Sequence, residues 1–430
     1  QLGRARTNPV PHEHGCAIAI RRDPAPVRVS APIMFCHRSP LLLLTVLFGA
    51  NACADDTAIV GSARAPDVDA ATPARCGGAL GHMTLLSSGW NHVFAIDEQA
   101  RGWAWGSNNE GELGVCDRKD RTMPAQIDSQ SWAKLAGGSR HSCGIQQDGA
   151  LYCWGTNVHG QLGTGDTTSS TMATTPVGTE RWRDVACGGL HSCGIQEDGT
   201  LWCWGANPAG QLGLPGVTAD QPTPRRVGAD SDWHAVVAKA RFTCALKRDA
   251  TLHCWGDNSN GQLGLGTEGD GNAPTAVAPQ LRFAAVAAGP LHACAITTDA
   301  ELYCWGQGAS GQLGVGGTED QSLPTRVDER RDWSAVALGF DHTCAIGDGA
   351  LHCWGANHGG QLGLGDRTQR RSPALVDDTR SWSAVALGMS HSCGLASGGE
   401  VLCFGDSARG QVGDDSTVPH LKPTHSCLPQ

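Results

Sequence analysis

Residues 141–163 read HSCGIQQDGALYCWGTNVHGQLG. Two short runs, 142–146 and 150–154, alternate in character and flank Gln147-Asp148-Gly149, which reads as a three-residue hairpin loop with Gly149 in the left-handed conformation. A strand over 132–136 should precede them, and a weaker fourth near Pro176-Val177 should follow. The unit is therefore a small antiparallel sheet of about fifty residues.

That unit recurs. Trp-Gly pairs stand at Trp105-Gly106, Trp154-Gly155, Trp204-Gly205, Trp255-Gly256, Trp305-Gly306 and Trp354-Gly355, with Phe404-Gly405 as a seventh. Successive glycines lie 49, 50, 51, 50, 49 and 50 residues apart. Each pair leads to a Gly-Gln-Leu-Gly-like segment, starting at Gly111, Gly160, Gly210, Gly261, Gly311, Gly360 and Gly410. A histidine opens each hairpin at His92, His141, His191, His292, His342 and His391, and Phe242 replaces it in the fourth repeat. Nine residues earlier stands a large apolar residue: Met83, Trp132, Trp182, Trp233, Phe283, Trp333 or Trp382. Prolines mark the fourth strand at Pro124, Pro176, Pro224, Pro274, Pro324, Pro373 and Pro423. Evenly spaced short strands with glycine turns call for a closed all-β array, here a seven-bladed β-propeller over residues 76–430.

The motif H-S-C-G-I-x-x-D-G-x-L-x-C-W-G-x-N-x-x-G-Q-L-G resembles the repeat of the regulator of chromosome condensation family over residues 80–427. The first repeat departs most, with Val93, Phe94 and Ala104 where the others carry Ser, Thr or Ala and two cysteines. The resemblance implies the propeller fold. Its members include an exchange factor for a small GTPase and a secreted bacterial inhibitor of β-lactamases, so it does not by itself fix a function.

Composition narrows the setting. Glycine is abundant at 58 residues, charged residues make up only 17%, and the 19 cysteines suit an oxidising compartment. Residues 1–53 hold six Arg and two acids, which leaves 26 basic and 40 acidic side chains downstream, a net charge of −14. Such a chain is repelled by phosphate backbones and by anionic lipid surfaces, so no nucleic-acid partner is expected. The only strongly apolar run, LLLLTVLFGA at 41–50, is too short to span a bilayer. With Arg38 before it and Ala50-Asn51-Ala52 after it, residues 34–52 read as a secretory signal starting at Met34, and residues 1–33 as untranslated or unstructured. Cleavage after Ala52 makes Cys53 the mature N-terminus, which resembles a bacterial lipoprotein signal. Lipid on Cys53 is then the sole membrane attachment, the alternative being an ordinary signal peptide, and residues 53–75 are a flexible tether. The expected product is an exported, periplasmic or cell-surface monomer.

Six repeats carry one cysteine on each hairpin arm. The expected disulfides are Cys143–Cys153, Cys193–Cys203, Cys244–Cys254, Cys294–Cys304, Cys344–Cys353 and Cys393–Cys403. The fifth of these is one residue shorter, and a two-residue Asp348-Gly349 turn keeps its cysteines opposed. Opposed strand residues bring their β-carbons within bridging reach. Of the rest, Cys76 with Cys427 would lock the ring where its ends meet, and Cys116 would pair with Cys187 by default. The rival reading, metal bound at the His-x-Cys steps, lacks the clustered four-ligand set zinc prefers, so no metal and no cofactor is expected. The repeated His reads as a structural hydrogen-bonding residue.

Residues present in every repeat serve the fold, so function should sit where repeats differ, at 164–180, 214–232, 265–280, 315–332 and 364–380. No nucleophile elbow, H-E-x-x-H or phosphate loop is found, and no catalytic residue is assigned. A protein-binding scaffold acting through these loops is the preferred reading. Alternatives are an exchange-factor-like regulator of a small GTPase and a propeller-type lyase or hydrolase.

Overall fold

A computed structural model describes residues 76–173 and 177–429, with residues 76–79 and 429 described in their backbone alone. The signal (34–52), Cys53, the tether and Pro176 lie outside the described residues. Every regular element described is a β-strand.

The third repeat shows the unit plainly. Trp182–Cys187, His191–Gln196, Leu201–Gly205 and Gln221–Arg226 form one antiparallel sheet in chain order. Equivalent sheets begin at Trp233–Lys239, Phe283–Ala288, Trp333–Leu338 and Trp382–Leu387. The fold is an all-β propeller, but the expected seven blades are corrected by the sheet count. Sheets of four or more strands number six, because the first two repeats share one six-stranded sheet. The reason lies in one uninterrupted strand, Arg121–Gly137. Its first half pairs with Arg101–Gly106 and its second half with His141–Gln146. Asp128 bridges the join, its Oδ1 accepting from Gln130 N and Trp132 Nε1, so the backbone stays extended where other repeats turn. In the second repeat no fourth strand forms among the described residues; a single bridge from Gly155 to Ser170 stands in its place.

The first strands of successive repeats touch one another in turn around the axis. Met83–Ser88 meets both Arg121–Gly137 and Trp382–Leu387, which closes the ring. Beside that closure Cys76–Ala79 pairs antiparallel with Cys427–Pro429. The hydrophobic core lies in the seams between repeats. Cys143, Ile145, Leu151 and Cys153 of the second repeat pack with Trp182, Val185 and Trp204 of the third. In four repeats the first-strand Trp meets the indole of the same repeat's Trp-Gly pair, as in Trp182–Trp204 with centroids 5.7 Å apart. The Trp-Gly glycine ends its strand at φ near +100°, as at Gly155. A β-carbon there would lie 2.5 Å from the Arg140 carbonyl, so the site admits only glycine.

Candidate interaction faces

The repeated polar residues join one repeat to the next. His141 Nε2 lies 2.9 Å from Ser192 Oγ of the following repeat, and that hydroxyl donates to the Gln161 carbonyl. A hydroxyl has one proton, so the imidazole must be the donor on Nε2. The same pair recurs as His92–Ser142, His191–Thr243, His292–Thr343 and His342–Ser392. His391 closes the ring on Ser88 at 3.2 Å, because Val93 occupies the usual hydroxyl position. All six imidazoles are buried, and burial holds each down to about 3, fully neutral at ordinary pH. The Trp-Gly indoles add a second stitch: Trp204 Nε1 donates to the Gln161 carbonyl, and Trp105 Nε1 to that of Gln411 across the closure. The histidines proposed above as hydrogen-bonding residues therefore act between repeats. The hydroxyl after each histidine and the Gln-Leu-Gly carbonyl were not singled out from sequence, although the Ser or Thr was visible beside every His except His92 and His292 and followed Phe242 as well.

All six hairpin cysteine pairs stand directly opposed in register and are bridged. Their Cα atoms lie 4.0–4.1 Å apart, in keeping with the narrow, non-hydrogen-bonded class of antiparallel pair. In the shortened hairpin Asp348 (φ +50°) and Gly349 (φ +74°) form the two-residue turn. The expected Cys116–Cys187 bridge is corrected: Cys187 is a free thiol, buried against the Cys143 seam, while Cys116 is in a disulfide. Burial pushes the Cys187 thiol up to about 12, so it stays protonated and inert. Cys427 is also in a disulfide; the Cys76 side chain expected to meet it lies outside the described residues.

The five variable segments are not all loop. Outer strands Gln221–Arg226, Gly271–Val277, Gln321–Arg326 and Arg370–Asp377 run through four of them. Seven of the nine arginines in these segments are bound locally. Arg326 and Arg331 share Glu301, Arg330 pairs with Asp328, Arg370 with Asp366 and Arg380 with Asp377, and Arg226 and Arg367 reach the carbonyls of Ala229 and His358. Arg225 and Arg371 remain exposed without an ion pair among the described residues.

Between the fifth and sixth repeats lies an open groove of about 500 Å³ lined by Val315, Val327, Arg330, His352, Pro373 and Leu375. Arg330 stacks 3.9 Å from the Trp333 ring centre and meets His352 Nε2 at 3.2 Å. Leu375 is 47% exposed, and Leu323 of the fifth repeat's outer strand 56%. Among the described residues no cluster of His, Cys, Asp or Glu is arranged to hold a metal.

The sequence matches the family profile described as "RCC1-like domain" over residues 178–430. Regulator of chromosome condensation (RCC1) repeat profiles match residues 101–145, 148–195 and 132–161. No curated protein matches the sequence. Among solved structures, human WBSCR16 is similar at 22% identity, covering 74% of this chain and 87% of its own, with a TM-score of 0.66. Prp20p from Saccharomyces cerevisiae, solved in a study of its binding properties to Gsp1p and histones, is similar at 23% identity, 71% and 80% coverage and a TM-score of 0.63. Yeast RCC1 (Prp20) with Kap60 bound gives 22% identity, 71% and 78% coverage and 0.63. At these identities the likeness is one of fold.

Proposed function

This chain belongs to the RCC1-like family, and from that premise we propose that it is an exported, lipid-anchored scaffold that binds a protein partner on the exposed rim of its propeller. One observation carries the reading. The repeated His, Ser or Thr, Trp and Gln-Leu-Gly groups are engaged in joining repeat to repeat. What differs between repeats is left to the surface, where a rigid ring presents it without moving parts. The groove beside Arg330 and Trp333, with the exposed Leu375 in its lining, has the aromatic, arginine and apolar make-up of a protein contact. The yeast relative was solved in a study of its binding to Gsp1p and histones and again with Kap60 bound, which supports the class of ligand and not its identity. Export is supported by six hairpin disulfides, which persist in oxidising compartments, and by the signal-like residues 34–52. Lipid on Cys53 is supported by Ala50-Asn51-Ala52-Cys53.

Cross-linking pulldown with the mature chain should capture a partner, and grafting the five variable segments from an unrelated propeller should abolish capture while leaving the fold intact. Capture that survives the graft removes the rim assignment, and turnover of a substrate by the purified protein removes the scaffold reading. Mass spectrometry of the mature N-terminus should find a lipidated Cys53; an unmodified cysteine or cleavage elsewhere overturns the anchor.

A further inference from the structure

Six of the seven first strands end in a glycine collar at one end of the axial channel: Gly89, Gly138, Gly188, Gly289, Gly339 and Gly388. A β-carbon at any of them would fall 2.0–2.8 Å from the imidazole of its own repeat, so histidine enforces glycine there. In the fourth repeat Phe242 replaces the histidine, and the collar position is Lys239.

The Lys239 side chain is half-buried and makes no hydrogen bond or ion pair among the described residues. Its charge acts on Cys187 of the neighbouring third repeat, and on His92 and His391 of the first and seventh. Those two repeats lie across the ring from the fourth, so Lys239 stands in the collar opposite Gly89 and Gly388. The residues just past the collar form its mouth. On the far side Phe340, Met389 and Trp90, from consecutive repeats, make an apolar arc linked through Phe340 N to the Met389 carbonyl and Met389 N to the Trp90 carbonyl. The Trp90 indole N–H is buried and unpartnered. On the near side stand exposed Arg140 and Arg241. Asp341 belongs to the arc, but burial raises its carboxyl toward the neutral form, and Glu110 faces Arg140 at 3.8 Å. In a chain of net charge −10 this mouth offers cations and apolar surface together.

We propose that the collar is a carboxylate-binding site: an Asp or Glu side chain of the protein partner enters toward Lys239 Nζ, while an apolar neighbour of that residue rests on Trp90, Phe340 and Met389. The proposal deepens the scaffold reading and rests on it. A part-buried ammonium with no counter-ion is unfavourable, and a carboxylate both relieves that and fixes the partner's register.

Two probes of the mature chain test this. With five lysines in the sequence, 13C-dimethylated Lys239 can be assigned by comparison with Lys239→Arg. Acetate should raise its pKa from about 8 toward the ordinary lysine value, and chloride should not. Random peptides displayed on phage should enrich sequences with an acidic residue beside Phe, Trp, Leu or Met, and Lys239→Met should weaken their binding at least tenfold with an unchanged melting temperature. No response to acetate overturns the site. A response to acetate without acidic peptides, or with peptides that bind Lys239→Met equally, overturns the protein source of the carboxylate. A partner captured by pulldown that binds Lys239→Met as well as the parent overturns this inference and leaves the scaffold reading standing, whereas absence of any captured partner sinks the scaffold reading itself.

Discussion

Phe242 and Ala293 pack in one buried cluster at the seam between the fourth and fifth repeats, where the neighbouring seams carry a histidine and a hydroxyl joined by a hydrogen bond. Both partners of that bond are replaced together. Losing one alone would leave a buried polar group unsatisfied, whereas losing both is close to neutral. Phe242→His alone should therefore destabilise the protein by about 2–3 kcal/mol, since the ring lacks an acceptor and meets the Lys239 β-carbon. Adding Ala293→Ser should recover about 1 kcal/mol, and Lys239→Gly should recover more. Denaturant unfolding of the single, double and triple variants gives the coupling; additive effects would contradict it.

Acid should unfold the ring through its histidines. Their folded values, about 3, lie below the unfolded value of 6.5, so the unfolded chain binds more protons between those limits. Their contribution is complete above pH 6.5 and is lost as pH falls toward 3. Each such group steepens the loss by up to about 1.4 kcal/mol per pH unit. Unfolding free energies followed from pH 7 to 4 should fall steeply, and His292→Phe with Thr343→Ala should lower the slope by about one proton. An unchanged slope would mean that His292 is not neutral in the folded protein.

The hairpin loops contain a second experiment. Gly149, Gly199 and Gly399 hold the left-handed position, but Ala250 (φ +66°), Ala300 (φ +60°) and Ala100 (φ +61°) hold the same position in other repeats. An L-residue is strained there by roughly 1–2 kcal/mol, partly offset by the greater freedom glycine has when unfolded. Ala250→Gly should stabilise by roughly 0.5–1 kcal/mol, and Gly149→Ala should destabilise by a similar amount. Midpoints of chemical unfolding for the two variants should move in opposite directions.

The repeat period, the Trp-Gly turns and the opposed cysteines were legible because each depends on contacts within one repeat. Cys143 and Cys153 face each other across a three-residue loop, so their spacing reveals the pairing. The joining of the first two repeats into one sheet was not legible: nothing local in residues 128–131 marks them as extended, and their strand continues only because Arg101–Gly106 and His141–Gln146 pair with its two halves. The collar was hidden for the same reason. Lys239 looks unremarkable in sequence, and its setting appears only when the first strands of the first and seventh repeats stand across the axis from it. The default pairing of Cys187 failed because leftover cysteines carry no register information, and its strand buries it at the seam with Cys143.

The first repeat offers a site for one more bridge. Phe94 stands directly opposite Ala104, in the register that the other six repeats use for cysteine. Phe94 is fully buried and meets Trp154 edge to face at 6.2 Å. Phe94→Cys with Ala104→Cys should therefore oxidise without any change of backbone. The two energies oppose each other. A disulfide closing so short a loop contributes about 3 kcal/mol, while removing a buried phenyl ring costs about 3–5 kcal/mol when cut to alanine and less when a sulfur fills part of the space. The oxidised variant should thus unfold within about 1 kcal/mol of the parent. Its thiol form, compared in a background where the other bridges are kept intact, should be weaker by about 3 kcal/mol. Mass spectrometry establishes whether the bridge has formed, and chemical unfolding gives the two stabilities. Two free thiols after exposure to oxidant would show that the first hairpin does not share the geometry of the other six.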